Sequence, residues 1–446
     1  MYIFAGYDTT SMLYNVLYEN LSESTNKSLS RFVDGNLITF ATNTPKLNKL
    51  SNTKDCEEFS VMFSNMVSNL NNKSRDYKKS IFIDSGGYQI SIGLVQEEKL
   101  DLMLEAYTHF LLNSDNVYDR AFSLDVIPTE FNKEIDQFIE LNRIGLMKHM
   151  IDRTDKITRV FHFVNPGLFN VYTKIFAEML RETNIKDHKT FKVSVGGLVV
   201  LDKTQTILHV DPYIAAILYI IQLYKHSTGK LPEGIEFHVL GVSSTASIVK
   251  MKMIEHIVKR YFGIDLLITH DSSKIFRSII RSRCIDYFDT DTLSLHEVDC
   301  TSKNQYKPFN NKTSNYKFFV NELQKYCDDD IDSKLGGSFY DGDKIKRLSD
   351  ALMIMFESIQ VKKIKTICDR AFSSCNNEMQ VIDVCKEILR RMQSTQSFSL
   401  TNIQLSNTMK LVSRDVANLK QLVETMFLYT SDMKYKFLKN YRVDVL

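Results

Sequence analysis

Three aspartates each end a short apolar run: Asp84 closes SIFID, Asp125 closes AFSLD and Asp271 closes DLLITHD. Asn165 closes VFHFVN in the same way, a Gly196-Gly197 pair closes FKVSVGG, and Gly241 closes FHVLG. Carboxylates gathered in one mouth can serve as nucleophile, as proton carrier, and as acceptor for paired N–H donors. An amide or a backbone N–H can stabilise charge developing on an oxygen, and a glycine pair lets a ligand approach the backbone closely. A lone aspartate at a strand end is commonly no more than a helix N-cap. Three carboxylates, an amide and a glycine pair at successive strand ends point to a site.

The elements that must position them follow from the runs themselves. Each is rich in Val, Ile, Leu and Phe and largely non-alternating, as expected of parallel strands covered on both faces, and LITFAT adds a seventh run upstream. Segments of helical period lie between them: Leu100, Leu104, Tyr107 and Leu111 share one face, as do Leu168, Tyr172, Ile175 and Met179. Asp211-Pro212 reads as an N-cap followed by a proline at the first helical position, and Gly263 as a helix stop. From SIFID onward the strand ends recur at roughly 30–45 residues, the size of a βαβ unit. Such repeats build a closed barrel or a doubly wound sheet. No GxGxxG follows the first strand, which leaves the dinucleotide-binding version without support. The expected fold is therefore α/β, a (β/α)8 TIM barrel over residues 1–305, with the site at the C-terminal ends of the strands. Residues 306–446 are expected to form a mostly helical C-terminal region, with Leu348, Leu352, Met355 and Phe356 as one stripe.

Bulk properties narrow the setting. Lys+Arg 56 against Asp+Glu 54 gives a formal charge of +2, so any nucleic-acid contact must come from local clustering. Seven cysteines without a CxxC pair argue against a disulfide framework and for a reducing, cytoplasmic compartment. The opening MYIFAGYDTTSML has no signal-peptide zones, and the apolar stretch from Tyr213 to Tyr224 is too short for a bilayer and reads as a buried helix. No membrane partner is expected.

With the strand ends in order, a resemblance can be stated. Asp84-Ser85-Gly86-Gly87-Tyr88-Gln89 is similar to the signature of tRNA-guanine transglycosylases. The similarity continues through Leu124-Asp125, Val164-Asn165, Val195-Gly196-Gly197-Leu198, Leu240-Gly241-Val242 and Asp271-Ser272, over roughly residues 35–285. The sequence most resembles the phage and bacterial branch of that superfamily that places 7-deazaguanines in DNA. The resemblance implies exchange of guanine for a 7-deazaguanine such as preQ0, with Asp271 as nucleophile and Asp84 as general acid/base. It further implies base binding by Asp125, Asn165, the backbone at Gly196, Gly197 and Leu198, and Ser85 and Gly241, with Tyr88 stacking on the base. Asn165 stands where the family usually has a glutamine. The chemistry asks for such groups: a carboxylate accepts guanine N1–H and N2–H together, and displacement with retention needs a carboxylate nucleophile beside a proton donor. The target nucleotide must also leave the helical stack.

One family feature is missing. The CxCxxC and histidine zinc site of the bacterial and archaeal tRNA enzymes is absent, and Cys284, Cys300, Cys327 and His296 do not have structural-zinc spacing. No metal and no cofactor is expected, and DNA is favoured over tRNA, the alternative substrate. Lys274, Arg277, Arg281 and Arg283 follow the nucleophile and could grip phosphates, although a solvated helix face accounts for them equally well. Tyr306, Lys307, Phe309, Lys312, Tyr316 and Lys317 could line a nucleic-acid groove or form an ordinary linker. His162 and His238 read as core histidines, and His270 points away from Asp271 by strand alternation. A protein of another class, a non-catalytic nucleic-acid-binding partner subunit, is disfavoured by the three retained aspartates. A phage origin would place the protein in host cytoplasm; its oligomeric state is not legible.

Overall fold

The computed structural model describes residues 2–5, 7–73, 80–91, 93–124, 156–162, 177, 190–196, 211–242, 244–272, 284–299, 315–336, 342–393, 395–419 and 421. The chain opens with β1 (Tyr2–Ala5), α1 (Tyr7–Asn20), α2 (Glu23–Ser30) and β2 (Gly35–Thr39). A 3-10 turn then leads into α3 (Thr44–Leu47), α4 (Thr53–Lys73), β3 (Ser80–Asp84), α5 (Gly87–Ser91) and α6 (Leu100–Asn113). β4 (Arg120–Phe122), β5 (Ile157–His162), β6 (Thr190–Gly196), α7 (Pro212–Thr228), β7 (Gly234–Val239), α8 (Thr245–Phe262) and β8 (Asp265–Ser272) follow. These eight strands form a curled parallel sheet paired in chain order, and β1 pairs with both β2 and β8. This is the α/β, TIM-like arrangement the periodicity predicts. Its first strand, YIFA, is too short to register as a run, and the expected first strand LITFAT stops at Thr39.

The sheet has two apolar sides. A small cluster of Leu37, Phe82, Phe122 and Val160, from four neighbouring strands, fills its interior and stands apart from the main core. The alternate residues Ile38, Ile81, Ile83, Ala121, Phe161, Val193, Ile235 and Phe237 face outward into the much larger core beneath the helices. α7 is buried along almost its whole length, which explains its unbroken apolar sequence. No helix among the described residues is long and apolar enough to cross a membrane.

Beyond β8 an antiparallel hairpin, β9 (Cys284–Asp289) and β10 (Ser294–Asp299), precedes α9 (Asn315–Gln324), α10 (Ile331–Leu335), α11 (Gly342–Ser373), α12 (Glu378–Met392) and α13 (Thr395–Val412). The expected stripe Leu348, Leu352, Met355 and Phe356 is buried, in the same continuous core as α7 and α8. α10 is capped by Asp330, and the neighbouring Asp329 accepts from Ser22 at 2.7 Å. Tyr316 is buried in α9, where its hydroxyl donates to Asp332 Oδ1 at 2.7 Å. It is a packing residue there, not a base-stacking one. Residues 306, 307, 309 and 312 lie outside the described residues.

Two helix-end expectations fare differently. Gly263 ends α8 in the left-handed region at φ 74°, as a helix stop should. Asp211 occupies the N-cap position before Pro212, but its side chain makes no cap bond. Its Oδ2 instead accepts from the buried Lys250 ammonium of α8 at 2.8 Å, and Lys250 also donates to Gln404 of α13 at 3.3 Å. The N-cap and N1 positions are as read, but the Asp211 side chain serves a buried lysine in place of the helix end. Asp211→Ala leaves that ammonium buried without its counter-ion and should cost about 3–5 kcal/mol in urea denaturation. Asp211→Ala combined with Lys250→Met should recover most of the loss; an unchanged midpoint for the single variant would refute the pairing.

Candidate active site

Asp271 is the next-to-last residue of β8 and only 7% exposed. A buried carboxylate needs donors in place of water, and it has two on one oxygen. Gly241 N–H donates to Asp271 Oδ1 at 3.0 Å, and His238 Nε2 lies 3.1 Å from the same atom. Among the described residues, Oδ2 has no hydrogen bond. Gly241 reaches its position at φ 75°, a conformation glycine adopts at little cost, in the turn that follows β7.

His238 is fully buried in the sheet interior, its ring 4.6 Å from that of Phe122 and 6.2 Å from that of Phe82. Burial holds its pKa below the ordinary histidine value, against the opposing pull of the Asp271 carboxylate. The ring is therefore neutral and carries one proton. Asp271 can only accept, so Nε2 bears the hydrogen and Nδ1 accepts from the Thr269 hydroxyl at 2.7 Å. His238 and Thr269 are register partners in β7 and β8, and Asp271 is two residues farther on the same face. One layer below, Arg120 pairs with Glu236 and lies 5.1 Å over the Phe82 ring; its charge also disfavours protonation of His238.

Asp84 ends β3 opposite Thr39, whose hydroxyl donates to Asp84 Oδ2 at 3.1 Å. Ser85 is buried behind it. Gly86 then turns the chain into α5 at φ 102°, and a Cβ there would stand 2.3 Å from the Ala41 Cβ. The glycine of DSGGYQ is thus required by backbone conformation and by space, whatever else the motif does. Tyr88 lies in α5, with its side chain outside the described residues. Gly196 ends β6, buried, opposite His162.

Asp84, Asp271, Gly196 and Gly241 therefore all stand at the C-terminal ends of parallel strands or in the turn just after, as the sequence predicts. Asp125, Asn165, Gly197, Leu198, Lys274, Arg277, Arg281 and Arg283 lie outside the described residues. Among the described residues no group of three or more His, Cys, Asp or Glu is arranged to hold a metal ion. The expected orientation of His270 agrees with its outward burial near Lys365 of α11. His238 is a core histidine, as read, yet it also binds Asp271, which the sequence reading missed. Strand alternation puts Thr269 and Asp271 on one face, but His238 joins them only through the β7–β8 register.

Two outcomes follow from this geometry. Gly86→Ala forces a left-handed backbone on alanine and a collision with Ala41, so it should destabilise by about 1–3 kcal/mol or more; an unshifted thermal midpoint would contradict the turn. His238 and His270 are both held neutral by burial, with His270 well below the ordinary value near 6.5. Each takes up a proton on unfolding at acid pH, so its stabilising contribution is complete above about pH 6.5 and declines as pH falls toward the depressed folded values. Thermal unfolding from pH 7.5 to 5.5 should show this loss, up to about 1.4 kcal/mol per pH unit per histidine. His238→Gln should flatten the slope, and identical slopes for variant and wild type would refute the neutral ring. No family model and no curated protein matches the chain.

Proposed function

We propose that the chain is a base-exchanging transglycosylase built on a (β/α)8 barrel, replacing guanine in DNA with a 7-deazaguanine. The observation that carries this reading is the Asp271 carboxylate, buried at a strand end with one oxygen held by two donors and the other without a bond among the described residues. Such asymmetry suits a reacting carboxylate, general base or nucleophile alike, because one oxygen is anchored and the other can be aimed; the place of Asp271 in the motif series favours the nucleophile. The ordered motifs from Asp84-Ser85-Gly86-Gly87-Tyr88-Gln89 to Asp271-Ser272 support the same reaction class.

In this reading Asp271 Oδ2 forms a bond to C1′ while the C1′–N9 pair leaves with guanine, which takes a proton from Asp84. The incoming base then attacks C1′ through N9, gives its N9 proton to Asp84, and returns the ester electron pair to Oδ2. Protons and electrons balance, and no cofactor is needed. Thr39, donating to Asp84, would keep that carboxyl oriented through both transfers. Asp125 would accept the N1–H and N2–H pair that distinguishes guanine from adenine, and Asn165 with the Gly196-Gly197 backbone would face O6. DNA is preferred to tRNA because the chain lacks the cysteine motif found in the zinc-bearing tRNA enzymes.

Radiolabelled guanine in double-stranded DNA, single-stranded DNA and bulk tRNA, challenged with unlabelled 7-cyano-7-deazaguanine, tests the reaction and the substrate together. Label should be released from DNA alone, and Asp271→Asn should slow release by about a thousandfold or more with nucleic-acid binding retained. Release from tRNA alone would overturn the DNA assignment, and full activity in Asp271→Asn would overturn the nucleophile.

A further inference from the structure

We propose that His238 is a positioning residue: with the Gly241 amide it anchors Asp271 Oδ1, so that Oδ2 is the attacking oxygen and Asp271 can depart again as a stabilised carboxylate. This rests on the reading of Asp271 as nucleophile. Its foundation is geometric. Thr269 Oγ1, His238 Nδ1, His238 Nε2 and Asp271 Oδ1 form one line of hydrogen bonds at 2.7 and 3.1 Å, inside a sheet interior walled by Phe82 and Phe122. The Thr269 hydroxyl donates to Nδ1 and thereby fixes the tautomer that presents N–H to the carboxylate. The two aromatic rings leave the imidazole little room to turn.

The consequence is unequal for the two half-reactions. When Oδ2 bonds to C1′, Asp271 becomes an ester and Oδ1 a neutral carbonyl oxygen, so both donors lose most of their grip. When the ester breaks, the electron pair of the C1′–O bond returns to Oδ2 and the charge is again shared with Oδ1, where the two donors wait. Hydrogen bonds to an ionised group are stronger than those to a neutral one. They therefore stabilise the reactant of the first step and the product of the second. Removing the His238 donor makes Asp271 a poorer leaving group, while the Gly241 amide still holds Oδ1 for the attack. The covalent glycosyl-enzyme should then accumulate, which a merely structural defect would not cause.

The test is rapid quenching of full-length protein with a guanine-containing DNA duplex and saturating 7-cyano-7-deazaguanine, with bulk tRNA in a parallel arm, reading adduct on denaturing gels beside exchange rate. His238→Leu, of similar bulk without a donor, should lower kcat by about tenfold to a hundredfold and raise the steady-state adduct fraction severalfold. His238→Gln, whose amide can place N–H near the Nε2 position, should return both toward wild type. If His238→Leu does not fold, Thr269→Val decides, since it loses only the hydroxyl that sets the tautomer; it should show a smaller rise in adduct. A folded variant that slows exchange without raising the adduct fraction overturns the role of His238 and leaves Asp271 as nucleophile. Wild-type exchange with no adduct at any time, or no wild-type exchange on either nucleic acid, overturns the nucleophile reading itself and this role with it.

Discussion

A carboxylate can remain an anion inside a protein only where donors replace the water it has lost. That requirement at Asp271 organises its surroundings. It calls for the Gly241 amide, and the amide calls for a residue that tolerates φ 75°. It calls for an N–H from His238, and a neutral imidazole offers one only if its other nitrogen accepts, which Thr269 arranges. The imidazole in turn needs apolar walls, and these come from Phe82 and Phe122 on strands across the sheet interior. Residues of β3, β4, β7 and β8 are thus bound to one another through a single charged group.

Much of this architecture was legible because parallel strands covered on both faces leave a strong signal. SIFID, AFSLD, VFHFVN, FKVSVGG, FHVLG and DLLITHD each overlap a strand of the curled sheet, although AFSLD, VFHFVN and FHVLG catch only the C-terminal ends of β4, β5 and β7. What escaped was short or depended on partners far away. YIFA has four residues, and only its pairing with both β2 and β8 gives it meaning. The hairpin of β9 and β10 is polar and aromatic, and it gains its place from α11, whose Glu357 and Gln360 accept the backbone N–H groups of Asp286 and Phe288. His238 was legible as buried but not as a partner of Asp271, since composition says nothing of strand register. Asp211 had every local mark of a capping residue and was redirected by a lysine 39 positions away.

The C-terminal helices are bound into the sheet's own support. Among the described residues, β1 pairs with β8 from His270 onward. Two residues before that pairing begins, Glu255 of α8 accepts the Ile268 backbone N–H at 2.6 Å. Lys252, one turn away, pairs with Glu255 and with Asp369 of α11 at 2.8 Å. A carboxylate bonded to the backbone of β8 is therefore itself held by a cation shared with the C-terminal helices. Farther along α8, Arg260 bonds the Cys375 carbonyl at the end of α11, and Lys250 reaches α13. One helix carries charged groups that serve the strand beneath it and the helices above it.

The pairing of β1 with β8 also orders events in time. Ile3 and Asp271 are register partners separated by 268 residues of chain. A ribosome adding roughly 5–20 residues per second needs about ten seconds to nearly a minute between making the one and making the other. Throughout that interval the first strand has only β2 to lean on, and the edge of the growing sheet stays open to other chains. The pairing of the first strand with the last lies beside Asp271, so a nascent chain can complete the surroundings of that carboxylate only after β8 has been made.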